Sequence, residues 1–218
     1  MRKPRLTLLL LLVAITAGGW QFGQGVYLYF KAELAQSLLK MAWYDSIRTQ
    51  QNIKPWPWAD TWPVARMQVP ALGVELIVLA GDSGRTLAFG PGHQFGTVQP
   101  GQVGNSIISA HRDTHFQFLQ RLSVGDDVLV EDKRGAEKHF VVTDFHIVDS
   151  RIAYIPLDYD EPALTLVTCY PFNSIVTGGP LRYVVYARQI GDVPLNDSDG
   201  LMPLPDAILS GTFVETHI

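Results

Sequence analysis

Apolar and polar positions divide the chain into four stretches. From Leu6 to Phe30 there is no charged residue; Leu8 to Ala17 is almost wholly aliphatic, and Gln21 and Gln24 follow among glycines and aromatics. Such a run crosses a bilayer as a helix if the two glutamines sit near one interface, since roughly 20 apolar residues span the hydrocarbon. From Lys31 the spacing becomes that of a packed helix. Leu34, Leu38, Met41 and Ala42 stand at i, i+4, i+7 and i+8, with Glu33, Gln36 and Lys40 between them. The prolines of the segment Pro55–Pro63 end that helix, because proline lacks the N–H a helix needs and restricts the residue before it. This predicts an extended lead-in whose tryptophans, Trp56, Trp58 and Trp62, pack on the domain that follows.

Beyond Pro63 the pattern shortens to strands. β-Branched or aliphatic runs occur at Arg66–Val69, Val74–Leu79, Ser106–Ala110, Val128–Glu131, Phe140–Val148, Leu164–Thr168 and Leu181–Arg188, with turn residues between them. Lys133–Arg134–Gly135 reads as a hairpin turn between two of these runs. Many short strands in series predict a mainly β sandwich or barrel, closure being the way to remove exposed edges. Thr114–Leu122 is the one helix predicted inside the domain, with Phe118 and Leu122 on one face and Thr114 as its N-cap. The organisation expected is a basic start and membrane anchor over 1–30, a helical stalk and lead-in over 31–62, a β-barrel over 63–190, and an irregular Pro/Gly-containing tail over 191–218.

Charge narrows the function classes. The 218 residues carry 17 basic and 21 acidic side chains, a net charge of −4, and no basic cluster lies beyond Arg2, Lys3 and Arg5, so nucleic acid is not the expected partner. Those three residues precede the apolar run, an order that keeps the N-terminus in the cytoplasm and sends the remainder across the membrane. An uncleaved anchor is the expectation; a cleavable signal ending at Ala14–Ile15–Thr16–Ala17 is the alternative, and both translocate the domain. There is one cysteine, Cys169, so no internal disulfide can form. It is either a small buried hydrophobe or a thiol kept for its chemistry.

The neighbours of Cys169 favour chemistry. Leu164–Thr168 is an apolar strand that ends at Cys169, followed by Tyr170–Pro171. Alternation puts Cys169 on the face of Thr165 and Val167, with Leu164 and Leu166 turned to a core. Ile107–Ala110 is a second apolar strand, ending at His111, and Leu181–Tyr186 a third, interrupted by Arg182. An arginine in an apolar strand needs an anion, a groove or a route to water. One ionisable residue at the end of each of three strands fits a site on a barrel rim.

The segment Thr165–Leu166–Val167–Thr168–Cys169 resembles the sortase signature Thr-Leu-x-Thr-Cys, and Gly104–Arg112 resembles the segment carrying that family's histidine. Arg182, on the next strand after the cysteine, matches its arginine; Gly92–His93, Pro100–Gly101 and Leu122–Asp126 are further similar pieces. The resemblance runs from about Arg66 to Arg188, and is nearest to the single-anchor subgroup found in Gram-negative bacteria, thought to serve a dedicated target protein. It implies a closed β-barrel of about eight strands with short helices, preceded here by a transmembrane helix. It also implies a cysteine transpeptidase, with Cys169 as nucleophile, His111 as acid and base, and Arg182 with a backbone N–H beside Cys169 holding the oxyanion. Thr168, His93 and Tyr170 are the expected substrate-binding residues. The implied partners are a secreted protein bearing a Leu-Pro-x-Thr-Gly-like sorting signal, cut between Thr and Gly, and an amine acceptor on peptidoglycan, lipid or protein. The implied place is the bacterial inner membrane, with the domain on its periplasmic side, and no metal or cofactor is called for.

Rival readings meet specific residues. His111 and His115 stand at i, i+4, but a zinc-protease helix needs glutamate beside the first histidine, where this chain has Arg112. An L,D-transpeptidase has glycine before its cysteine and arginine close after it, unlike Thr168 and the distant Arg182. A site-specific cysteine protease shares the first chemical step. A membrane-anchored β-domain that only binds protein would leave Cys169 as packing.

Overall fold

The structure, a computed structural model, describes residues 3–174 and 178–191, with backbone alone at 3–7, 9 and 28. It divides into two compact units at Leu38/Leu39. The first consists of the greater part of helix α1, which runs unbroken over Lys3–Thr49. Along it Leu8, Leu10, Leu11, Leu12, Val13, Ile15, Trp20 and Phe22 are all exposed. Among the described residues no helix is long and apolar enough to cross a membrane. The basic start and the side chains of Leu6, Thr7, Leu9 and Leu28, on which the expected anchor partly rests, lie outside those residues, as does the tail from residue 192.

The second unit is a closed barrel of eight strands: β1 Pro63–Val69, β2 Val74–Ala80, β3 Gly92–His93, β4 Gly104–Ser109, β5 Asp127–Asp132, β6 Glu137–Asp149, β7 Pro162–Cys169 and β8 Leu181–Gln189. They close in the order β1-β2-β3-β4-β7-β8-β6-β5, with β2–β3 and β4–β7 parallel and the remaining pairs antiparallel. Alternation fills the interior with Met67, Val69, Val78, Ile108, Val128, Val130, Phe140, Leu164, Leu166 and Val185. β2 is buried on both faces, which is why Leu76–Ala80 reads as an unbroken apolar run. Val78 and Ala80 enter the barrel; Ile77 and Leu79 face Leu39 and Trp43 from the last turns of α1.

That contact corrects the helical face expected from sequence. Of the four expected positions Leu34 and Met41 are exposed and Leu38 half-buried, while Ala42 is buried together with Leu39, Trp43 and Ser46. The buried set holds a true i, i+3, i+4, i+7 spacing, but two of its members are small and one is polar, so the larger aliphatic letters beside it gave the stronger signal. In the lead-in, Trp56 meets Phe89 edge-to-face at 4.9 Å and Trp62 packs against the barrel core, whereas Trp58 is 83% exposed. The helix expected over Thr114–Leu122 is instead a 3-10 turn at Gln117–Arg121, with Phe116 rather than Thr114 at its cap and no side-chain capping bond. Phe118 and Leu122 are nonetheless buried. The hairpin at Lys133–Gly135 forms as read: Gly135 takes φ +76°, and the Asp132 carboxylate accepts the N–H groups of Arg134 and Ala136.

Candidate active site

Strand polarity sorts the barrel ends. β4 and β7 run the same way and finish at one rim, where β8 begins. The register there is specific. Cys169 stands directly opposite Arg182 in the β7–β8 ladder, so the two share a face. On the other side Ser109 is level with Val167, and the Ala110 N–H donates to the Val167 carbonyl at 3.1 Å, extending that ladder past the end of β4. His111 is the next residue along that segment. Neighbouring chains in a sheet lie about 5 Å apart, so Cys169 has Arg182 across from it on one side and, on the other, the chain that leads from β4 into His111. Cys169 is partly exposed and His111 exposed.

The threonines of the signature brace this geometry from within. Thr168 lies on the core side, 2% exposed, and its hydroxyl donates to the Ala110 carbonyl at 2.7 Å. Thr165, fully buried, donates to Asn105 Oδ1 at 2.9 Å, and Asn105 donates in turn to the Pro156 carbonyl. Thr168, expected to touch substrate, is therefore turned away from the groove and ties the cysteine strand to the histidine strand. His93 is also elsewhere. It is buried in β3, with Nε2 2.8 Å from the Val98 carbonyl and 3.1 Å from the Thr97 hydroxyl. It lines a cavity of about 560 Å³ with Trp62, Ala65 and Asp132, at the barrel end opposite Cys169. Tyr170 does reach the rim, half-buried beside the cysteine.

Tyr170 belongs to an aromatic cluster that sequence reading missed. Tyr183 stacks on Tyr170 at 6.3 Å and on Phe145 at 6.0 Å, and Phe172 meets Tyr183 edge-to-face at 5.2 Å. These residues come from β6, β8 and the turn after β7, so only the closed ladder assembles them. The N–H following Cys169, that of Tyr170, donates to the Leu181 carbonyl at 3.0 Å. Arg182 has its Nη1 on the carbonyls of Gly179 and Leu181, at 2.7 and 2.9 Å.

Hydrogen bonding from Arg151 holds the Asp149 carboxyl down to about 2, with Arg182 adding to the effect. Burial, and secondarily the charge of His111, pushes the His115 imidazole below its ordinary value. Arg112, beside His111, is 7% exposed, although His111 and Asp113 around it are open to solvent. Its Nη1 donates to the Pro171 carbonyl at 2.9 Å and its Nη2 to the Ser174 carbonyl at 2.6 Å. Among the described residues no group of three or more His, Cys, Asp or Glu side chains is arranged to hold a metal.

Comparison with known proteins places this architecture. A family model for the sortase domain matches residues 67–190. Sortase D of Bacillus subtilis (strain 168) is 29% identical over 124 residues, covering 57% of this chain and 62% of that protein. The chain thus spans less than two thirds of that relative's length. Among solved structures, a Clostridium perfringens sortase D5 transpeptidase superposes with a TM-score of 0.59 at 20% identity, over 73% of this chain and 99% of that one. Sortase A from Corynebacterium diphtheriae gives a TM-score of 0.55 at 23% identity, over 65% and 66%. Such identities speak for a shared fold. These relatives lend no support to the subgroup found in Gram-negative bacteria.

Proposed function

This chain belongs to the sortase family, and from that footing we propose that it is a membrane-anchored cysteine transpeptidase acting on a secreted protein with a Leu-Pro-x-Thr-Gly-like C-terminal signal. The observation that carries the proposal is the register that sets Cys169 opposite Arg182 at the rim where the segment leading from β4 into His111 also ends, which supports a site built from these three residues. The Cys169 thiolate attacks the threonine carbonyl carbon, whose π electrons move onto oxygen, and Arg182 stabilises that oxyanion. For this the Arg182 guanidinium leaves the Gly179 and Leu181 carbonyls. The tetrahedral intermediate collapses, breaking the C–N bond to glycine, and His111 protonates the departing amine. A thioester remains. An incoming amine then attacks the thioester, gives its proton to His111 and releases Cys169, with a new amide as product.

The exposed aliphatic positions on the first part of α1, and the uncharged run from Leu6 to Phe30, support anchorage in the inner membrane with the barrel on the periplasmic side. An anchor would hold the site where a substrate tethered by its own C-terminal span arrives, raising the local concentration of both partners. Peptidoglycan, lipid or protein amines are the acceptor classes.

The test uses the full chain in detergent with a sorting-signal peptide and graded concentrations of a panel of amines, the products being weighed by mass spectrometry. The expected outcome is slow hydrolysis without amine, faster turnover and diversion to the amide with it, and neither product from Cys169→Ala. Water product unchanged across the panel would reduce the enzyme to a site-specific cysteine protease. Activity in Cys169→Ala would remove the nucleophile.

A further inference from the structure

Arg112 is the most buried cation on the rim, and its bonds join the two chain segments that carry the reacting pair. It directly follows His111; Pro171 lies two residues after Cys169, and Ser174 closes the turn there by donating its N–H to the Pro171 carbonyl at 3.3 Å. The guanidinium fork reaches both ends of that turn, through Nη1 to Pro171 and Nη2 to Ser174, while Nε donates to Asp113 Oδ1 at 3.2 Å. On the barrel side of the reacting pair, the same two segments are tied by Ala110 N–H to the Val167 carbonyl and by the Thr168 hydroxyl to the Ala110 carbonyl. His111 and Cys169 therefore sit between two sets of crosslinks, one below and one above. The lower set belongs to the ladder. The upper one, among the described residues, includes the Arg112 side chain.

We infer that Arg112 is a positioning residue, which sets the separation of the His111 imidazole and the Cys169 thiol by pinning the turn after β7 to the chain after β4. The inference rests on the transpeptidase reading for its kinetic consequence, though not for its geometry. A planar two-donor fork suits two carbonyls at the ends of one turn; an ammonium offers a single centre and cannot span them equally. With the upper crosslink lost, the turn carrying Tyr170 and Phe172 shifts, and thiol and imidazole lose their alignment. Arg112 touches no reacting atom in this scheme, so its removal acts on the rate of the chemical steps more than on capture of the peptide.

The experiment compares Arg112→Lys and Arg112→Ala with the unaltered full chain in detergent, counting activity per folded molecule from melting curves. Expected for Arg112→Lys is a kcat lower by about 10- to 100-fold, the scale of loss that a misplacement near 1 Å brings, with KM changed by less than about threefold. A second readout needs no substrate. The rate at which iodoacetamide alkylates Cys169 at one fixed pH should differ from that of the unaltered chain in both variants, as the turn beside the sulfur shifts. Wild-type kcat and an unchanged alkylation rate in folded Arg112→Lys would overturn the assignment. So would a loss that vanishes once activity is counted per folded molecule, since that marks a purely structural arginine. If the unaltered enzyme turned over no sorting-signal peptide at all, the transpeptidase reading would fall, while the alkylation rates would still decide for or against Arg112.

Discussion

Arg182 faces Cys169 across the β7–β8 ladder, yet its Nη1 is held by the backbone carbonyls of Gly179 and Leu181. The proposed mechanism has it exchange those acceptors for a developing oxyanion, which a two-edged guanidinium does by rotating and lysine does poorly. Arg182→Lys should therefore lose about 100-fold or more in kcat/KM, the range found when an oxyanion donor is removed. Its half-exposed side chain contributes little to folding, so the melting temperature should stay within a few degrees. Steady-state kinetics beside a melting curve checks both, and equal turnover would make Arg182 a surface residue. Cys169, His111 and Arg182 stood out in the sequence because each ends or breaks an apolar strand and falls in a sortase-like segment. The burial of Thr168 and His93 did not show there. Whether a hydroxyl meets substrate or the Ala110 carbonyl depends on a strand 58 positions away, which no local pattern reports. Arg112 was hidden too, because a charged letter next to a histidine reads as solvent-facing until its acceptors arrive from the turn after β7.

Among the elements, the end of α1 is the least expected part of the domain. Trp43 is 1% exposed against Ile77 and Leu79, and its Nε1 has no hydrogen-bond partner among the described residues. Its contribution is thus packing. Trp43→Ala should destabilise the domain by about 3–5 kcal/mol, the usual cost of truncating a fully buried aromatic, and Trp43→Phe by clearly less, since no bond is lost with the indole N–H. Urea unfolding of the three proteins measures it; a near-neutral Trp43→Ala would mean that this part of the helix is not held on β2. Seven of the strands were readable from apolar runs. β3, two residues long, was not, because it exists only through its pairing with β2 on one side and β4 on the other. The helix written into Thr114–Leu122 failed for a related reason. Its apolar spacing suits either helix type, and with no capping bond at its start the chain closes only the tighter turn.

At the scale of the whole molecule, the buried imidazole of His93 and the half-buried one of His115 should make stability depend on pH. Burial lowers both His93 and His115 from an ordinary value of 6.5. The folded protein keeps them neutral where the unfolded chain already binds protons, so stability rises with pH across the window between each lowered value and 6.5, and falls as the solution is acidified through it. Asp149, held at about 2, keeps its charge throughout that window and has no part in the loss. Denaturant unfolding from about pH 8 down to about pH 5 should show the decline, and His93→Gln with His115→Gln should flatten it. A slope unchanged in the double variant would assign the dependence to other groups.

The parallel pairing of β4 with β7 bears on when the protein becomes reactive. Ladders such as β5–β6 join strands close in sequence, but the histidine and cysteine strands meet only after the intervening hairpin has been laid down and the chain has returned. Pairings so distant in sequence are slow to form. Until they do, a newly made chain carries an ordinary cysteine with no imidazole beside it and no arginine across from it. On the proposed mechanism, thioester chemistry is thereby withheld from the unfinished polypeptide and begins with barrel closure, so an immature copy would not be acylated by a passing substrate before it could also complete the transfer.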